Sequence, residues 1–244
     1  MTDIRTRAFA GIVGLAVAGL LSVGCSSSSG GTGTGGTGGS AGTTGSAGTS
    51  GGGGTGGAAA CVPPTAALIT DFGTTSTSQV GTIYKGADTG LTAPTTDTSS
   101  GALVINIDTG VPSTMYPFAY VGLPLNSCTD ATSYTGVKFN ISGTLNSACT
   151  IQFSAVDKEH STVADNGTCT ASSCYPSSKI FTLSSTPTDV MVLFTDQTGG
   201  GANAGAATLD ATELLNVQWQ FNVPTADGSG GCVGMVTIDN VSFF

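Results

Sequence analysis

The sequence predicts an all-β domain, a sandwich of two antiparallel sheets built from about nine strands. Three observations lead there. The stretch Leu214–Val223 sorts by parity, with Leu215, Val217, Trp219, Phe221 and Val223 on one side and Asn216, Gln218, Gln220 and Asn222 on the other. That is the two-residue period of a strand with one dry face and one wet face. Similar short runs recur along the chain, separated by turns rich in Gly, Ser, Thr and Asn. No stretch carries a helical period, although Leu209–Leu215 has room for one turn capped by Asp210 or Thr212. Dry faces on several strands need a second sheet to cover them.

The chain opens with residues 1–24, which read as a signal peptide. Arg5 and Arg7 precede the apolar run Ala8–Val23, which is shorter than a membrane span. Cys25 follows Leu21-Ser-Val-Gly and resembles the lipid-modified cysteine of a bacterial lipobox, with Ser22 where leucine is usual. The resemblance implies export and a lipid anchor at Cys25, on the outer membrane or cell surface of a bacterium, with no span crossing the membrane. Residues 25–60 continue as Cys25 and a linker, 26–60, of only Ser, Gly, Thr and Ala, too poor in apolar side chains to fold. Gly31-Thr-Gly33-Thr-Gly-Gly36 matches a dinucleotide fingerprint in letters only, since no strand and helix flank it.

The folded domain is expected over residues 61–244, a length that supports one core. Its first strand is Ala67–Phe72, followed by Thr74–Ser100, which reads as long loops with room for one short strand. Leu103–Ile107, Tyr120–Leu125, Gly136–Ile141 and Cys149–Ala155 come next, then Lys179–Leu183, Val190–Thr195, the Trp219 strand and Met235–Phe244. Val137, Phe139, Ile141, Ile151 and Phe153 point inward by parity. Val190–Thr195 is too apolar for a face to be assigned.

Charge excludes some partners. The whole chain carries −9; the signal region contributes Arg5, Arg7 and Asp3, a net of +1, leaving −10 for the rest. Past the signal only Lys85, Lys138, Lys158 and Lys179 are basic, so neither nucleic acid nor a polybasic membrane patch fits. A neutral polar ligand does. Besides Cys25 there are Cys61, Cys128, Cys149, Cys169, Cys174 and Cys232, an even set that reads as three disulfides in an exported chain. Cys169 and Cys174 share one loop and are expected to pair. The other four stay open.

Val217-Gln-Trp-Gln-Phe-Asn-Val223 followed by Val236-Thr-Ile-Asp-Asn-Val-Ser-Phe-Phe244 resembles the closing strands of galactose-binding-like jelly rolls, such as family 11 carbohydrate-binding modules. Leu68-Ile-Thr-Asp-Phe72 resembles their first strand, and Tyr134–Gly143 the strand that opens their ligand-facing sheet. The resemblance covers most of Ala67–Phe244. It implies a sheet face that binds a glycan chain. It also implies a structural calcium near the chain ends, for which Asp71 and Asp239 match the acidic positions.

Parity places Lys138, Asn140, Gln152, Ser154, Gln218, Gln220 and Asn222 outward on three strands. Were those strands in one sheet, they would form a single polar face whose amides suit sugar hydroxyls, with His160 and Tyr175 reaching its rim from loops. The same row also reads as a merely solvated face. A stacking platform for sugar would come from Tyr116, Tyr120, Tyr134 or Tyr175. Asp157-Lys-Glu159-His160 is the one dense ionisable cluster; it reads as a solvated loop, or as the centre of a hydrolase. The expected function is non-catalytic carbohydrate binding by a monomer. The rivals are a surface adhesion or structural protein-interaction module without sugar specificity, and a hydrolase using Asp157, Glu159 and His160.

Overall fold

The computed structural model describes residues 60–73, 79–112, 117–147, 149–171, 174–202, 208–223 and 230–244, which belong to one compact unit spanning Gly54–Phe244. The signal segment, Cys25, the linker up to residue 59 and Tyr116 lie outside the described residues. Among the described residues, no helix is long and apolar enough to cross a membrane.

Among the described residues, eleven strands run in the order β1 (Leu68–Thr70), β2 (Tyr84–Ala87), β3 (Thr95–Asp97), β4 (Leu103–Asp108), β5 (Phe118–Thr129), β6 (Gly136–Leu145), β7 (Thr150–Asp157), β8 (Lys179–Phe181), β9 (Thr188–Leu193), β10 (Leu214–Asn222) and β11 (Val233–Phe243). The front sheet has the order β2-β5-β10-β7-β8; the back sheet has β3-β4-β11-β6-β9, with β1 also paired to β11. All strand pairs are antiparallel. From β4 to β7, and again from β9 to β11, successive strands alternate between the two sheets. This is the antiparallel two-sheet jelly roll that the sequence leads one to expect.

The alternation in the sequence explains the core. On β10, Val217, Trp219 and Phe221 are fully buried, while Gln218, Gln220 and Asn222 stay partly exposed. Trp219 meets Phe139 of the back sheet edge-on, with centroids 5.3 Å apart at 86°, and Phe153 at 5.6 Å and 63°. Edge-to-face contact between rings is the favoured geometry. Ile105, Ile141, Val236 and Ile238 cover these rings from the back sheet.

Among the described residues there are three disulfides, Cys61–Cys128, Cys149–Cys232 and Cys169–Cys174, of which the second lies in the core; the third is the pairing expected from the shared loop. The turn before β10 is a short 3-10 segment, Ala211–Glu213, capped by the Asp210 carboxylate, which accepts from Thr212 N at 2.8 Å.

Several expectations need correction. The Thr74–Ser100 stretch holds two short strands, β2 and β3, each too brief to show a period. The strand expected over Tyr120–Leu125 extends over Phe118–Thr129. A register shift between Leu214 and Asn216 breaks the pairing of β10 with both neighbours. A bulge reverses parity, so Leu214 enters the core and Leu215 does not. Val190 and Val192 face inward on β9, leaving Met191 60% and Leu193 39% exposed.

Lys138 and Asn140 lie on β6 of the back sheet, whereas Gln152, Gln218, Gln220 and Asn222 lie on the front sheet. The three strands do not share a sheet, so the single polar face assembled from their parity splits in two. Parity reports which side of a strand is wet, not which sheet the strand joins. Asp157 and His160 are also not a solvated loop: both are buried, and only Glu159 is exposed.

Candidate binding site

The outer face of the front sheet carries a cleft of about 970 Å³, the size of a site for a small organic ligand. Its floor is β5 and β10. Tyr84 of β2 stands on one side, residues 158–166 and 174–176 on the other, and Pro124–Cys128 at one end.

Cross-strand register dictates what the floor presents. Tyr84 pairs with Gly122 and Gly86 with Tyr120, so each tyrosine faces a glycine on the neighbouring strand. A Cβ at Gly122 would overlap Cζ, Oη and Cε1 of Tyr84, and one at Gly86 would overlap the same atoms of Tyr120. The missing side chains are what let the two rings lie down across the sheet. Phe118 continues the row: Tyr84 and Tyr120 centroids are 6.0 Å apart, and Tyr120 and Phe118 centroids are also 6.0 Å apart. Further along the ladder, Gly122 pairs with Gln218, Tyr120 with Gln220 and Phe118 with Asn222. Beside the aromatic row there is thus a parallel row of amides, Asn216, Gln218, Gln220 and Asn222.

The amides are held in place. Tyr84 Oη donates to Asn216 Oδ1 at 2.7 Å, with Gln218 Oε1 at 3.2 Å. Burial first, then the neighbouring Tyr120 and Asp165, push the Tyr84 hydroxyl above its ordinary range, so it remains a neutral donor. Gln220 Nε2 donates to Asn222 Oδ1 at 2.8 Å, and Asn222 Nδ2 to Gln152 Oε1 at 3.1 Å. Among the described residues, Gln218 Nε2 and Gln220 Oε1 have no intramolecular partner, leaving one donor and one acceptor for a ligand.

This wall is stapled by Cys169–Cys174, and Tyr175, next to that staple, is 54% exposed and lines the cleft. Lys158 on the wall pairs with Glu213 at 3.5 Å. His160 also lines the cleft, with its side chain buried and its Nδ1 2.6 Å from Asp157 Oδ1. Asp157 additionally accepts from His160 N at 2.9 Å and from Asp210 N at 2.6 Å. It therefore joins β7, the wall and the turn before β10. Among the described residues, no hydroxyl meets His160 Nε2. With Glu159 outside on the surface, the cluster gathers neither a carboxylate pair nor a nucleophile–base contact.

The structure therefore brings together Gln152, Gln218, Gln220, Asn222, His160 and Tyr175, plus Tyr120 from the expected aromatics. It separates Lys138, which sits opposite Met191 and Ser242, and Asn140, whose Nδ2 donates to Asp189 Oδ1 at 3.0 Å on the back sheet. Tyr134 stacks on Phe243 with centroids 5.2 Å apart and serves the core instead. Sequence reasoning missed Tyr84, Phe118 and Asn216. A signal for the first existed in Tyr84-Lys-Gly86 set against Tyr120-Val-Gly122, two Tyr-x-Gly steps that pair in reverse.

Asp71 directly follows β1, whereas Asp239 lies within β11, paired with Asn140 of β6. Asp71 Oδ1 accepts from Gly73 N at 2.9 Å, and Asp239 Oδ1 from Asn240 N at 2.7 Å. Among the described residues, no group of three or more His, Cys, Asp or Glu gathers as a metal shell.

No family model matches the sequence, and no curated protein matches it. Solved structures do. The family 11 carbohydrate-binding module of the cellulosomal cellulase Lic26A-Cel5E of Clostridium thermocellum is similar with a TM-score of 0.45 and 15% identity, over 72% of this chain and 92% of that one. The family 11 module from Clostridium thermocellum in complex with a β-1,3-1,4-mixed-linked tetrasaccharide gives 0.46 and 15%, over 72% and 94%. A family 30 carbohydrate-binding module gives 0.43 and 16%, over 66% and 92%.

Proposed function

We propose that the front-sheet cleft binds a neutral glycan chain without acting on it. The observation that carries this reading is the row Phe118, Tyr120 and Tyr84, rings 6.0 Å apart, set beside a row of held amides. A pyranose offers an apolar face to a ring and hydroxyls at its edge. Rings and amides side by side meet both at once. The net charge of −9 repels acidic polymers and leaves neutral ones. Lys138 and Asn140 play no part in this site.

Two further parts of the proposal stand on sequence alone. Export with lipid attachment at Cys25 would hold the protein on a membrane. A calcium near Asp71 and Asp239 would need backbone carbonyls and water to complete its oxygen shell, because two carboxylates fall short of the six to eight ligands calcium takes.

Retention on immobilised polysaccharides tests the function. Mixed-linkage β-1,3-1,4-glucan, cellulose derivatives, xylan, mannan and β-1,3-glucan form the panel, with Tyr120→Ala and Tyr84→Ala as comparisons. Retention that either substitution abolishes is the expected result. Failure to bind any neutral polysaccharide refutes the reading and leaves the protein-interaction alternative.

A further inference from the structure

Beside the cleft, chain is laid over the outer face of β7, and four side-chain atoms in and under it are buried without a partner: Ser154 Oγ, His160 Nε2, Ser177 Oγ and Gln197 Nε2. Gln197 is anchored at the sheet by its other amide atom, which accepts from Ala155 N at 2.7 Å. The cover is a ribbon of residues 175–178 and 198–201. Tyr175 and Gly201 exchange hydrogen bonds at 3.1 and 2.7 Å, and Ser178 and Thr198 at 3.0 and 2.9 Å. A Cβ at Gly200 would sit 3.2 Å from His160 Cδ2 and 2.7 Å from Ser177 N, so the imidazole lies directly beneath the ribbon. Buried polar groups without partners are costly. Four in one layer mark a place built for a polar occupant.

The chemistry of that occupant follows from His160. The Asp157 carboxylate accepts two backbone N–H groups besides the imidazole. A carboxylate only accepts, so Nδ1 carries a hydrogen, and in the neutral ring Nε2 is then the acceptor. The other three groups are uncharged: two hydroxyls that give or take, and one amide donor. An anion here would face the fully buried Asp157 carboxylate. A cation would find too few oxygens. A hydroxyl both gives and takes, and suits the set.

We infer that His160 Nε2, fixed by Asp157 as positioning residue, is the acceptor for one hydroxyl of the bound glycan, reached when the 175–178/198–201 ribbon yields. The inference rests on the glycan reading of the cleft that His160 lines. It makes the wall a second recognition element beside the aromatic floor.

His160 is the only histidine, so a long-range proton–nitrogen spectrum of the ¹⁵N-labelled protein reports both ring nitrogens without overlap. The protein alone should show Nδ1 protonated and Nε2 bare; the opposite tautomer, or a hydrogen on both nitrogens, overturns the inference. Titration with the mixed-linkage β-glucan tetrasaccharide, and with cello-, xylo- and laminari-oligosaccharides, should then shift Nε2 in the direction of hydrogen-bond acceptance. Movement of tyrosine ring signals with Nε2 unmoved overturns the inference and leaves glycan binding standing, with water alone in the recess. No movement of any signal with any sugar overturns both. Two variants add an affinity readout. His160→Asn keeps a donor for Asp157 and removes the acceptor, and should weaken binding about tenfold. His160→Gln restores an acceptor near the Nε2 position and should recover part of the loss. Wild-type affinity in a folded His160→Asn protein counts against the inference, and should that variant not fold, the spectrum decides alone.

Discussion

Gly122→Ala is the sharpest probe of the cleft because it adds one carbon and touches no ligand. Carbon–carbon contact begins near ~3.5 Å, and a Cβ at residue 122 overlaps three atoms of the Tyr84 side chain well inside that. The backbone cannot give way, since Gly122 is paired on both sides, with Tyr84 and with Gln218. The ring must lift. Its hydroxyl then leaves Asn216 Oδ1, now 2.7 Å away, at a cost of about 1 kcal/mol. Alanine is easier than glycine to hold in a strand by ~0.5 kcal/mol. The net loss of stability is ~0.5 kcal/mol, a fall in Tm of roughly 1–2 °C for a domain of this size. Binding should suffer more. A displaced ring loses about 0.5–1.5 kcal/mol of stacking, and the amides it held lose their alignment. Together these weaken affinity roughly 5- to 30-fold. Isothermal titration calorimetry with the best-retained oligosaccharide, beside thermal unfolding, measures both. A Gly122→Ala protein that binds like wild type refutes the role given to Tyr84. One that melts 10 °C lower would show instead that the Tyr–Gly pairing supports the fold itself.

Three other outcomes are expected. In the chain-entropy description, removing Cys149–Cys232 or Cys61–Cys128, with separations of 83 and 67 residues, costs about 4.5 and 4.4 kcal/mol, against about 2 for the five-residue Cys169–Cys174 loop. Paired Cys→Ser variants in urea should keep that order, and a larger loss from the short loop would contradict it. Tyr84 should release its proton above the ordinary tyrosine range. Because its folded value is raised, the folded state holds that proton after the unfolded chain has lost it. The stability contribution is then complete below about pH 10 and falls as pH rises further. Phenolate absorbance in wild type and Tyr84→Phe checks this, a late component missing from the variant being the expected result. If calcium is held near Asp71 and Asp239, chelation lowers Tm and Asp239→Asn removes that response; an unchanged Tm discards the metal.

Much of the fold was legible because a sandwich strand writes its burial in a period of two. The alternation through Val217, Trp219 and Phe221, and through Phe139 and Phe153, placed the core rings correctly. Leu215 misled because the bulge at the start of β10 is a matter of pairing, and pairing partners do not appear in local sequence. Lys138 and Asn140 misled for a related reason: a jelly roll sends successive strands to opposite sheets, so like parity on β6 and β7 means opposite outer faces. Tyr84 escaped notice because β2 has four residues, too few for any pattern. By composition His160 and Asp157 read as surface, because charge usually marks it. Their burial depends on residues 175–178 and 198–201 lying over them, a tertiary contact that composition does not encode. The short-loop disulfide was readable from proximity in the chain, and the two long ones were not.

The Cys61–Cys128 link has a mechanical meaning. A pull on the chain ahead of Cys61 passes through sulfur to Cys128, near the end of β5. Residues 62–127, which include β1 to β4 and most of β5, then carry none of the load. Traction reaches the sandwich at β5, beside the cleft and hydrogen-bonded along most of its length to β10. Resisting it are many bonds loaded together, rather than a short terminal strand peeled off one bond at a time.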